Sequence, residues 1–280
     1  MKKGLIVIFS FVALVLAMGG CKNVIGSGMS FSDADTVAIE KVSKCDTSWF
    51  ALTTGGRCDV DANVAICYPS YYKDAESTKQ LKHLYVANVL EIGDTIKFED
   101  SFAQYVKSIL EQYGISQDEE ADHVEDDYVC VYHYSNTTNI DVAFNRNDII
   151  TFCRAEIIKK NGEITMSTHR YYNFDLKNMS RIDINSLFSE SVLNNVAQLL
   201  KAKLMKQNNV DNEDSLIDLG YFNLDNLRVT NNFYFTDNSV VWNYVPYEIS
   251  LYSVGETEIE LTYDELSIYL NENSPVSYVY

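Results

Sequence analysis

The stretch that decides the fold runs from Tyr128 to Phe174. It opens as Tyr128-Val-Cys-Val-Tyr-His-Tyr134 and continues through three further segments, 140–144, 148–159 and 163–174, all rich in Tyr, Val, Ile and Phe. Turn-forming residues separate them: Asn136 to Asn139, Asn145 to Asn147, and Asn161-Gly162. β-Branched and aromatic runs broken at short intervals by Asn and Gly predict an antiparallel meander.

Outward from this stretch, residues 36–45 and 58–68 read as strands. Val60, Ala62, Val64 and Ile66 fall on one face of the second, and Pro69 ends it. Residues 81–90 fit strand or helix. Residues 101–113 carry Phe102, Tyr105, Val106, Ile109, Leu110 and Tyr113 at the spacing of one apolar helical stripe, with a Ser101/Gln104 capping box and Gly114 at the C-terminal cap. A second helix is expected over about 189–206, with Val192, Leu193, Val196, Leu199, Leu200 and Leu204 inward. Residues 207–218 read as a polar connection. Strands follow at about 231–236 and 239–244 around an Asp237-Asn238 turn, and a third helix opens at Thr262/Glu265. The expected class is therefore α+β: antiparallel sheets with about three packed helices, in two subdomains spanning 36–160 and 161–280.

Composition fits one large or two small cores. The 280 residues are 46% hydrophobic and 12% aromatic, with 20 Tyr, 13 Phe and only 3 Pro, which is too apolar for a disordered chain. Basic residues number 22 against 40 acidic, a formal −18. Nucleic acid is excluded as the expected partner, because phosphate binding needs clustered Lys and Arg. The same balance opposes lying flat on an anionic bilayer and suits a cationic partner.

The N-terminus reads as an export signal. Lys2 and Lys3 precede an apolar run from Leu5 to Met18, too short to span a bilayer comfortably. Then comes Ala17-Met18-Gly19-Gly20-Cys21, which resembles a bacterial lipobox with Met18, or Leu16 one step out, in the Leu position. The resemblance implies cleavage of 1–20, diacylglycerol on Cys21, a lipidated tether over 21–35, and a protein anchored to a membrane in the cell envelope, facing periplasm or cell surface. The alternative is an ordinary secretory signal with an incidental Cys. Cleavage removes Lys2 and Lys3 and no acid, so −18 becomes −20.

Five Cys remain: Cys45, Cys58, Cys67, Cys130 and Cys153. Export permits disulfides. Cys45–Cys58 and Cys130–Cys153 are both conceivable across hairpins, and buried thiols on strands are the alternative. No Cys-x-x-Cys pair occurs, which argues against zinc and thioredoxin-type chemistry. Asp59-Val-Asp61-Ala-Asn63 begins like a calcium loop but has Val64 where Gly is needed and Ser70 where Glu is needed. No nucleophile-elbow, zincin or phosphate-loop motif is present, so neither a cofactor nor a metal is expected, nor an enzyme. His133 and His169 can be imagined meeting across a sheet. The run Asp118–Asp127, with seven carboxylates in ten residues, reads as a solvated loop, with Ca²⁺ or a basic protein as the functional alternative.

The segment from Phe233 to Leu266 is distinctive: a strand pair, then Pro246-Tyr247-Glu248-Ile249, Tyr252, Gly255, a strand, and Tyr263-x-Glu265-Leu266. It resembles the domain shared by the sensor region of lysozyme-responsive anti-sigma factors and the accessory region of certain peptidoglycan deacetylases. Upstream, Tyr171-Tyr-Asn-Phe-Asp-Leu176 with Ile184, Leu187 and Phe188 matches as well. The chain departs from that pattern at Met166-Ser-Thr-His-Arg170, which keeps a His but lacks the family's glycines. Its deacetylase relatives keep their catalysis in a separate domain. The resemblance implies recognition of lysozyme-like proteins or peptidoglycan, by capture or inhibition rather than signalling across the membrane.

Each motif residue also has a scaffold reading, with Tyr247 and Tyr252 burying their rings and Gly255 taking a positive φ. The binding reading takes Trp242, Tyr244, Tyr247, Glu248 and Tyr252 as candidates, with exposed aromatics lining a partner groove. An envelope carbohydrate hydrolase using paired carboxylates is the alternative function, with Glu248 the carboxylate inside the strongest motif.

Overall fold

The computed structural model describes residues 36–51, 56–93, 95–121 and 131–280. Two sheets organise it. The larger has six strands in sequence order: β1 (Ala38–Ala51), β2 (Arg57–Tyr71), β3 (Val131–Arg146), β4 (Ile149–Lys160), β5 (Glu163–Asp175) and β6 (Ser180–Ile182). The smaller is β7 (Phe233–Phe235), β8 (Ser239–Tyr244) and β9 (Thr257–Thr262), all antiparallel. The α+β class with two units fits this arrangement.

The larger sheet is not antiparallel throughout: β2 and β3 run parallel, from Arg57 opposite Val131 to Ile66 opposite Ile140. The reason is the excursion between them. Parallel neighbours need a long crossover, and here it carries α1 (Ala75–Tyr85), a π-helical turn (Val86–Leu90) and α2 (Phe98–Ala121). The ambiguous segment 81–90 is thus helical. Asp74 caps α1, its carboxylate accepting from Ser77 N–H at 2.7 Å.

On β2, Cys58, Val60, Ala62, Val64 and Ile66 alternate inward and are fully buried. Against them pack Leu81 and Tyr85 of α1 and Tyr105, Val106, Ile109 and Leu110 of α2. The helical stripe holds from Phe102 to Leu110, the side chain of Tyr113 lying outside the described residues, but the boundaries move. α2 starts at Phe98, so Ser101 lies in its first turn and donates to Phe98 O at 2.7 Å. Gly114 falls inside the helix, whose main chain continues to Ala121.

The expected turn at Asn136–Asn139 is absent. The two segments around it form one sixteen-residue strand, β3. The polar residues are accommodated inside the sheet: Asn136 Nδ2 donates to Glu156 Oε1 and Thr138 Oγ1 to Asn136 Oδ1, both at 2.7 Å. β2 likewise passes Pro69. β3 has stopped flanking β2 beyond Ile66, so one side of the strand is open where the proline sits.

A second core gathers the smaller sheet with α3 (Ile184–Leu187), α4 (Leu193–Gln207), α5 (Glu213–Asp218) and α6 (Tyr263–Leu266). The polar connection 207–218 therefore holds a helix, capped by Asn212 accepting from Ser215 N–H at 2.9 Å and holding Leu216 inward. The Thr262/Glu265 capping box forms as read, but α6 is one four-residue turn. The three longer helices are α1, α2 and α4.

The larger sheet extends past residue 160. β5 runs on to Asp175, where its end meets β7: Asn173 Nδ2 donates to Phe233 O at 2.6 Å, and Phe144 of β3 lies beside Phe235. No helix among the described residues is long and apolar enough to cross a membrane.

Candidate functional site

The distinctive segment folds as a strand, a rigid turn and a strand. β8 ends at Tyr244, and Pro246 follows after Val245. The turn closes on itself: Val245 N–H donates to Glu248 Oε2 at 2.8 Å, Glu248 N–H to Val245 O at 3.1 Å, and Tyr247 N–H to Ser250 O at 2.8 Å. Gly255, at φ +85°, makes the second bend, and its carbonyl accepts from Ser250 Oγ at 3.1 Å.

Within this turn Tyr247 sits at φ +73°, a conformation that strains a residue with a bulky side chain. The strain displays the ring. Tyr247 is 67% exposed and Tyr252 42% exposed, so neither buries its ring as the scaffold reading expected. The two rings stack on each other, centroids 6.1 Å apart and planes 23° from parallel. Leu251, Ile217 and Leu219 are exposed nearby. The α5 end and this turn are joined by Leu251 N–H to Gly220 O at 2.9 Å.

Beside the turn lies an open recess of about 540 Å³ lined by Asn223, Arg228, Thr230, Tyr244, Glu248 and Ile249. Arg228 supplies its cation and Glu248 its carboxylate. One oxygen of Glu248 is already committed to Val245 N–H, so this side chain holds the turn as well as lining the recess. Asn223, Arg228 and Thr230 carried no motif; only folding brings them opposite the turn.

Trp242 and Tyr244 must be corrected as exposed groove residues. Trp242 is fully buried between Phe188 and Phe233, with ring centroids at 6.3 and 6.0 Å. Tyr244 is buried too. Its hydroxyl donates to Arg228 O at 2.8 Å, and burial raises its pKa. Every residue of β8 is buried, because β7 and β9 flank it and helices cover it. Of the five candidates, the structure brings Tyr247 and Tyr252 together on the surface, puts Glu248 and Tyr244 at the recess, and places Trp242 in the core.

His133 and His169 do not meet. They lie on β3 and β5 with β4 between, and each faces its own carboxylate: His133 Nε2 to Asp61 at 3.2 Å and His169 Nδ1 to Glu256 at 2.7 Å. A Cys45–Cys58 disulfide is ruled out by register. Cys45 stands opposite Asn63 and Cys58 opposite Phe50, five residues away along the ladder, or roughly 16 Å. Cys153 is a free thiol, and burial pushes its pKa up to about 12. Cys21, Cys130 and the acidic run beyond Ala121 lie outside the described residues. Among the described residues no three His, Cys, Asp or Glu side chains converge as a metal site.

Residues 185–264 match the model of the family described as protein of unknown function, DUF3298. That span runs from α3 into α6 and includes the tyrosine turn. Two crystal structures share the fold. One is of a DUF3298 family member from Bacteroides fragilis NCTC 9343, 20% identical, with TM-score 0.68, covering 88% of this chain and 98% of that one. The other is of a DUF3298 family protein from Pseudomonas aeruginosa PAO1, 16% identical, with TM-score 0.56, covering 86% and 98%. No curated protein matches the chain in sequence. The two-sheet architecture is thus that of DUF3298 structures, and the resemblance to lysozyme sensors and deacetylases rests on the motif residues alone.

Proposed function

We propose that this chain is a lipid-anchored lipoprotein of the bacterial cell envelope that binds an extracytoplasmic partner through the turn at Tyr247–Tyr252. The observation that carries the reading is the stacked, exposed tyrosine pair. A folded domain that holds a strained Tyr247 in water with Tyr252 stacked on it has built a contact surface, since aromatic anchors dominate binding energy. The Arg228/Glu248 recess beside it offers oriented polar groups. Anchoring rests on the lipobox-like Ala17-Met18-Gly19-Gly20-Cys21.

A lysozyme-like protein is the partner that fits best. It is strongly basic, and an anchored chain of net −20 accelerates its approach by electrostatic steering. A peptidoglycan fragment is the smaller ligand of the same pathway of recognition. The recess offers a single carboxylate, whereas a glycosidase needs two about 5–9.5 Å apart, so the binding reading is preferred to the hydrolase.

The test is a binding assay on the immobilised chain from residue 22 onward, with lysozyme and with muropeptides, at low and moderate salt. Wild type should bind lysozyme, with an association rate that falls as salt rises. Tyr247→Ala with Tyr252→Ala should weaken affinity by about tenfold or more. Absence of binding to either ligand, or an unchanged affinity in the double variant, would overturn the proposal. Mass analysis of the Cys21 peptide from membranes tests the anchor separately.

A further inference from the structure

The molecule is acidic, yet one groove in it is cationic. It lies between α1 and the start of α2, has a volume of about 580 Å³, and is lined among others by Tyr71, Lys79, Lys82, His83, Lys97 and Phe98. A smaller recess of about 400 Å³ shares Lys82, Phe98 and Glu99 with it, so the two run together past the Phe98 ring. Glu99 is the one acidic residue lining the larger recess, and Glu40 joins it in the smaller one.

What sets these lysines apart is that they line one cavity, since Lys159 and Lys206 likewise have no carboxylate within 4 Å among the described residues. Lys73, Lys177, Lys201 and Lys203 each have a carboxylate within 4 Å. Lys79, Lys82 and Lys97 have none among the described residues, although acids outnumber bases 40 to 22. Lys82 instead places its ammonium 4.6 Å from the centre of the Phe98 ring. Lys79, Lys82 and His83 share a face of α1, where like charges three and four residues apart repel. The C-terminal end of α1 explains cations at Lys82 and His83. It explains neither Lys79 nor Lys97, which approaches from the other wall. Three lysines without a carboxylate partner, lining one cavity with an aromatic wall, suit an anion attached to an apolar body.

The groove's position identifies the source of that anion. Tyr71 on its rim is the register partner of Ala38, the first residue of β1. The groove therefore opens at the end of the sheet where the chain enters from Cys21. Residues 22–37 span at most roughly 60 Å even fully extended, so an anchored chain stays within that distance of the bilayer and is tethered from this end.

We propose that the groove formed by Tyr71, Lys79, Lys82, Lys97 and Phe98 binds the phosphate headgroup of an anionic lipid in the anchoring membrane. This rests on the lipid-anchor reading. Binding there turns the cationic end toward the bilayer and leaves the acidic remainder free for a partner, against the repulsion that an anionic surface exerts on the chain as a whole.

The test tethers the chain from residue 22 onward, which contains every described residue, through an N-terminal histidine tag to vesicles bearing a nickel-chelating lipid. Amide hydrogen exchange over 75–99 is followed on phosphatidylcholine vesicles with and without phosphatidylglycerol. Exchange should slow only with phosphatidylglycerol. Lys79→Gln, Lys82→Gln and Lys97→Gln should each weaken the effect roughly fivefold. Lys107→Gln, elsewhere on α2, should leave it unchanged, and thermal melts check that each variant folds.

Inorganic phosphate and glycerol phosphate are added to the neutral vesicles as a second arm. Protection there would assign the groove to soluble phosphate compounds and overturn the lipid source. No protection in any arm, or equal loss with Lys107→Gln, would overturn the site. The artificial tether works whether or not Cys21 is acylated, so a failure of lipidation is read separately.

Discussion

The two cores of this protein are held by different means. The first is a regular ladder: long strands satisfy one another's backbone groups, and β2 with two helices packs Val60, Val64, Ile66 and Leu81 together with the rings of Tyr85, Phe152 and Phe174. The second has short strands and many loops around Trp242, whose ring lies beside Phe188 and Phe233. Where strands are lacking, asparagines do the ladder's work. Asn232 accepts from Tyr171 N–H at 2.9 Å and donates to His169 O at 3.0 Å and Asn243 O at 2.9 Å. Asn243 Nδ2 donates to His169 O, Asn231 caps Ile184 N–H, and Asn173 reaches Phe233 O. The lesson is that a loop-rich unit can be fused to a sheet by side-chain amides, because every buried backbone group needs a partner.

The largest test of this contrast is Trp242→Ala. It should cost about 3–5 kcal/mol in denaturant unfolding, through the cavity it leaves. Coincident transitions by fluorescence and far-ultraviolet circular dichroism would show that the amide seam couples the cores; separated transitions would break that view. Trp242→Phe should cost less than Trp242→Ala, because a ring still fills most of the space and the indole N–H has no partner to lose.

Next is Asn232→Ala. It strips Tyr171 N–H and two carbonyls of their partner and should cost about 1–3 kcal/mol. An Asn→Ala change on the exposed surface should stay within about 0.5 kcal/mol. Equal effects would end the distinction.

Smaller still is Tyr247→Gly. Glycine tolerates φ +73°, so relief of strain should raise stability by up to about 1 kcal/mol while binding through the turn is lost. A stability gain with binding intact would remove the turn from the site.

The smallest effect is the pH response of the seam. Hydrogen bonding to Glu256, with the nearby charge of Glu258, raises the His169 pKa above its ordinary 6.5. The imidazolium is therefore favoured in the folded state. The added stability is complete below pH 6.5 and is lost as pH rises through the folded pKa. Melts of wild type and Glu256→Gln should converge at alkaline pH and separate below neutrality.

Much of this was legible in the chain. The inward alternation of β2, the stripe of α2, the Asn161-Gly162 turn, the Asp237–Asn238 turn and the Thr262 capping box are local patterns, and local patterns report their own periodicity. The errors share one cause. Asn136 and Thr138 read as a turn because nothing nearby announces that Glu156, on another strand, will take their hydrogen bonds. Tyr247 and Trp242 were equally aromatic on paper, yet one is in water and the other in the core.

By itself, then, the sequence determined the α+β class, the acidic surface, the lipobox-like N-terminus and the segment that holds the turn. Only the tertiary structure decided the parallel pairing of β2 with β3, which tyrosines face solvent, and the meeting of Lys79 and Lys82 with Lys97. The physical reason is that each of these depends on which surfaces residues far apart in the chain bury against one another. Burial is a property of the packed whole, and no local spacing encodes it.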